Sequence, residues 1–85
     1  MRDLPATGKV DQAIKEIAAA GGQPHEIILE PGDLKDMLDE LDLLQPELAP
    51  HRPGSARHRD LPVRGGDGGS RVVWSKDDAQ GVWPV

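Results

Sequence analysis

The stretch Glu30-Pro31-Gly32-Asp33-Leu34-Lys35-Asp36-Met37-Leu38-Asp39-Glu40-Leu41-Asp42-Leu43-Leu44 decides how the rest of the chain is read. Leu34, Met37, Leu38, Leu41 and Leu44 recur at spacings of three and four, the mark of a one-sided helix. Lys35, Asp36, Asp39, Glu40 and Asp42 fall on its other face. Pro31 and Gly32 set the turn before it. Asp33 is suited to cap the first turn, with Asp36 at the capping-box position. The helix should stop near Leu44, because Pro46 pushes Gln45 out of the helical region. A helix of about eleven residues is marginal alone. Its leucine stripe therefore needs cover from the rest of the chain, from a partner, or from both.

Upstream, residues 1–8 read as a flexible lead-in. From Lys9 to Ala20 the positions Val10, Ala13, Ile14, Ile17 and Ala18 describe a second amphipathic helix, stopped by Gly21-Gly22. Ile27-Ile28-Leu29 is a short unbroken apolar run between turn signals, which favours a strand buried on both faces. Downstream, residues 45–60 hold Pro46, Pro50 and Pro53 with few apolar anchors. They read as a mobile Pro/Arg-rich loop without structure of its own. Leu61–Arg64 is a strand that Pro62 confines to an edge or a strand start. Arg71–Ser75 is another, joined to it across Gly65-Gly66-Asp67-Gly68-Gly69 as a long-looped hairpin. Val82-Trp83-Pro84-Val85 adds a third short strand or pins the end of the chain through Trp83. The expected fold is α+β: one small domain over residues 9–85, with two amphipathic helices packed on a small, mainly antiparallel sheet.

Composition bounds the function. At 85 residues a domain buries only about 60–65% of its unfolded surface, and with neither Phe nor Tyr the core is aliphatic. No cysteine offers a disulfide or a thiolate metal site. No apolar run is long enough to span a bilayer or to act as a signal segment. These features point to a cytoplasmic or virion-associated protein without a membrane partner. The formal net charge of -5 hides an asymmetry. Acids dominate residues 26–47, whereas Arg52, Arg57, Arg59, Arg64 and Arg71 dominate the section that follows.

No motif for chemistry survives its context. The glycine run lacks the following helix that a phosphate loop requires, and Asp67 places a negative charge within it. His51, His58 and Asp60 lack the helical spacing that would set imidazoles on one metal ion. His25 reads as a strand-opening residue rather than a base. Asp77-Asp78 and Asp39-Glu40 point apart, as adjacent residues do. The arginine cluster has no interleaved aromatics for base stacking, which disfavours nucleic acid. No catalytic residue, metal ligand or cofactor is therefore assigned, and the chain is not expected to be an enzyme. Asp36, Asp39, Glu40, Arg57, Arg59, Trp74 and Trp83 are the candidate partner-binding residues, with Trp83 and Val85 the expected exposed apolar pair.

Ile27-Ile28-Leu29-Glu30-Pro31-Gly32-Asp33-Leu34, a helix, a variable loop and then Leu61-Pro62-Val63 with a hairpin resemble a segment of tailed-phage particle proteins. In phage major capsid proteins an apolar strand ends in a Pro-x-Asp turn into a helix, and a Gly-x-Pro-Val strand follows. Asp60 stands where that pattern has glycine, and the resemblance covers about half of the chain. It implies a particle-associated structural role. The expected function is a non-enzymatic protein-interaction or assembly module that joins itself or a larger assembly. The alternative is a small acidic inhibitor or regulator whose helix occupies a basic site on a nucleic-acid-handling protein.

Overall fold

In the computed structural model, which describes residues 5–85, proline opens both helices. Its missing N–H and fixed φ suit the first helical turn. The chain runs α1 (Pro5–Ala19), β1 (Gln23–Leu29), α2 (Pro31–Leu44), a 3-10 turn (Pro46–Leu48), β2 (Arg57–His58), β3 (Leu61–Gly65), β4 (Arg71–Lys76) and β5 (Ala79–Pro84). Residues 5–8 belong to α1 rather than to a lead-in, and the rest of that expected segment lies outside the described residues.

The strands form one mixed sheet in the order β2-β3-β1-β4-β5. β1 lies at its centre. Ile27 stands opposite Val63 of β3, which runs parallel to it, and opposite Val72 of β4, which runs antiparallel. The other pairings are antiparallel. This position explains the unbroken apolar run, since Ile27, Ile28 and Leu29 are all buried. The expected β3–β4 hairpin does not form. α2 and the connection after it return the chain beside β1, which makes β3 parallel to β1 and leaves β1 between β3 and β4.

The glycine run therefore crosses the end of β1 instead of closing a hairpin. Gly66 N–H donates to the Leu29 carbonyl. A Cβ at Gly66 would stand 2.7 Å from Ile28 Cγ2, so no larger residue fits without displacement.

Ala6, Val10, Ala13 and Ile17 of α1, Met37 and Leu41 of α2, Ile27 and Leu29 of β1, Val63, Val72 and Ala56 make the core. Leu34 and Leu38 are half-buried against it. Leu44, expected on the covered stripe, is 53% exposed. The indoles of Trp74 and Trp83 meet edge to face, with centroids 5.4 Å apart. Trp83 and Val85 are half-buried against the core, contrary to the expectation that they are exposed.

Two further expectations change. Asp33 does not cap α2: the cap is Glu30, whose side chain makes no capping bond, and Asp33 lies within the first turn. Ser70 completes the cap from the sheet. Its hydroxyl accepts from Glu30 N–H at 3.1 Å and donates to Asp33 Oδ2 at 2.5 Å. Nor do residues 45–60 lack structure. They hold the 3-10 turn, the whole of β2 and the buried Ala56, and Val63 N–H donates to the Ala56 carbonyl. Asp42 anchors this connection, its Oδ1 accepting from both the N–H and the Nδ1 of His51.

Candidate functional site

The seven residues expected to bind a partner do not share one surface. Asp36 and Asp39 are exposed on α2, where Asp39 pairs with Lys35 at 3.0 Å. Glu40 is buried and faces inward, which removes it from any presented acidic face. Its Oε2 accepts from Ala6 N–H and its Oε1 from Thr7 N–H and Thr7 Oγ1, each at 3.0 Å. A carboxylate on α2 thus satisfies the free donors at the start of α1, where the helix dipole favours negative charge. Arg57 is exposed and donates to the Asp60 carbonyl. Trp74 and Trp83 turn toward the core.

Arg59 belongs to a cluster that spacing did not reveal. Asp11 Oδ1 of α1 accepts from Arg59 Nε at 2.6 Å and from His58 Nε2 at 2.7 Å. Burial works against the Asp11 charge, but the hydrogen bonds from Arg59 and then from His58 outweigh it. Its carboxyl therefore titrates below the ordinary 3.8. Arg59 and Asp60 make the β2–β3 turn with φ of 52° and 65°, a left-handed conformation that disfavours side chains. Beside the cluster, Gly8, Ile14, Lys15, Ala18 and Arg59 help to line a shallow recess of about 280 Å³. Opposite charges meet within it, so it has no single electrostatic preference. His51 and His58 are tied to separate carboxylates. Among the described residues, no three His, Asp or Glu side chains are grouped to hold a metal.

The surface with the plainest capacity for contact is β5. It is an edge strand, and Ala79-Gln80-Gly81-Val82-Trp83-Pro84 carries no charge. Val85 N–H donates to the Ser70 carbonyl, and Val72 faces Trp83. This phase turns the N–H and C=O groups of Ala79, Gly81 and Trp83 toward β4. Those of Gln80 and Val82, with the Pro84 carbonyl, turn away from the sheet. Proline is tolerated at position 84 because its missing N–H would have faced outward.

Side chains alternate as well. Trp83 packs on the core, so Val82 lies on the opposite face, where it is 58% exposed and stands beside Val73.

The chain matches no protein-family model, no curated protein and no solved structure.

Among the described residues, no helix is long and apolar enough to cross a membrane. The β5 edge was not foreseen as a site. The signal available in the sequence was the absence of charge from Ala79 to Pro84, in a chain where charged residues are otherwise frequent.

Proposed function

We propose that this chain is a non-enzymatic assembly module that engages a protein partner by strand addition at β5. The observation that carries the reading is the uncharged edge strand whose outward hydrogen-bonding groups have, among the described residues, no strand against them. Natural sheets normally blunt such an edge with lysine, proline, a bulge or a covering segment, because it is a template for another strand, and in β5 the one such device is Pro84 at its last residue. Main-chain bonds supply affinity in this mode, and alternate side chains supply selectivity. The particle of a tailed phage is the setting that the sequence resemblance implies.

The test is selection from a displayed library of extended peptides on the chain immobilised at low density. Val82→Pro serves for counter-selection. This substitution removes an outward N–H while leaving the bonds to β4 in place. Enrichment of alternating apolar peptides on the unmodified chain alone is expected. Equal recovery on both chains would remove the reading.

The acidic-regulator reading keeps one supporting observation, the exposure of Asp36 and Asp39 on α2. Glu40 no longer contributes to it, so its test is Asp36→Lys with Asp39→Lys. The regulator reading expects binding to a basic target to be lost while helicity is kept; unchanged binding would count against it.

A further inference from the structure

We infer that the strand accepted at β5 is β5 of a second copy, paired antiparallel about a two-fold axis through Val82. This rests on the strand-addition reading and names the partner.

The first argument is that the edge complements itself. With Val82 opposite the second copy's Val82, each Val82 N–H meets the other's carbonyl. Each Gln80 N–H then meets the Pro84 carbonyl of the other copy. The one outward position without a donor, Pro84, falls opposite Gln80, so each Gln80–Pro84 pair makes one bond and leaves the Gln80 carbonyl to solvent, and no pair sets two prolines against each other. An isologous contact of this kind closes on itself as a dimer.

The second argument is the arrangement of side chains. Val73 stands beside Val82 on the face of the sheet opposite Trp83. The two-fold therefore aligns Val73, Val82 and the second copy's Val82 and Val73 in one cross-strand row. The exposed Val82 is covered by its own counterpart, and apolar cross-strand neighbours are the stabilising unit of a sheet.

Charge selects the direction. One end of β5 adjoins Asp77 and Asp78 in the β4–β5 turn, and the other lies beside Arg71, which faces Pro84. Antiparallel pairing brings the acidic turn of each copy toward the Arg71 end of the other. Parallel pairing would set acids against acids, a repulsive arrangement.

The experiment is light scattering across a hundredfold range of concentration for the unmodified chain, Val82→Pro, Val82→Lys and Leu43→Lys, with amide exchange followed at Gln80 and Val82. Expected is a mass rising from 9.2 kDa toward twice that value. Protection of the Val82 amide should rise with it, be unaffected by Leu43→Lys, and be lost in Val82→Lys. Val82→Pro, which has no amide at position 82, is read by its mass. Circular dichroism checks that both Val82 variants keep the sheet, and Val82→Lys keeps every backbone donor if the proline variant unfolds. A chain that stays at 9.2 kDa overturns the second copy as occupant. The peptide selection described above then stands or falls by itself. A dimer that persists in Val82→Lys, or that leaves the Val82 amide unprotected, places the interface elsewhere and also overturns the inference.

Discussion

At the scale of single residues, Glu40 ties the two helices together. It lies on the charged side of a helix in sequence, yet it is buried and accepts from two backbone N–H groups and a hydroxyl near the start of α1. Removing it strands buried donors, and each unsatisfied group costs about 1–3 kcal/mol. Glu40→Ala should therefore lower unfolding free energy by about 2–4 kcal/mol in urea titration. Glu40→Gln should lose less, since one oxygen still accepts. Asp60 presents the opposite case. Its φ of 65° is strained for a side chain, and its hydrogen bond to Arg57 uses only the backbone carbonyl. Asp60→Gly should raise stability by about 1 kcal/mol, read from the thermal midpoint. Neither role was legible in the sequence. Glu40 reads as a solvated acid because its partners lie more than thirty residues away, and Arg59-Asp60 lacks the Asn-Gly signal by which such turns are recognised.

At the scale of elements, each helix begins with help from elsewhere in the fold. Ser70, at the threshold of β4, bridges Glu30 N–H and the Asp33 carboxylate. It thereby supplies from a second segment the acceptor for the Glu30 N–H that a local capping box takes from the helix itself. Ser70→Ala should cost about 1 kcal/mol, and amide exchange at Glu30 should quicken relative to the centre of α2. The helices themselves were legible, since apolar spacing marks Val10, Ala13 and Ile17 in one and Met37 and Leu41 in the other. Their starts were not. Pro5 lies before the first apolar repeat, and the cap of α2 is supplied by a residue distant in sequence.

At the scale of the whole molecule, two carboxylates fasten the outlying segments to the helices. Asp11 holds the β2–β3 turn to α1. Asp42 holds the connection after α2, and hydrogen bonds from the His51 ring and backbone keep its carboxyl below the ordinary range. A carboxylate whose folded pKa is depressed adds stability above its unfolded value, here 3.8, and loses it as pH falls through the folded value. Asp11→Asn and Asp42→Asn should both weaken the fold at pH 6. Their deficit against the unmodified chain should shrink as pH falls below 3.8, as followed by circular dichroism under denaturant. The class of fold was legible in the apolar patterns, and Ile27-Ile28-Leu29 could be read as a strand buried on both faces. The order of strands could not, because β3 and β4 carry equal claims to pair with each other until α2 is seen to return the chain beside β1.

That order has a consequence for synthesis. Both neighbours of β1 are made after it, and the chain must extend from Leu29 to Lys76 before the central strand is enclosed on its two edges. At translation rates of about 5–20 residues per second this takes several seconds. Until Gly65 has been added the most apolar segment of the nascent chain has no β-partner, and one of its edges stays open until Lys76.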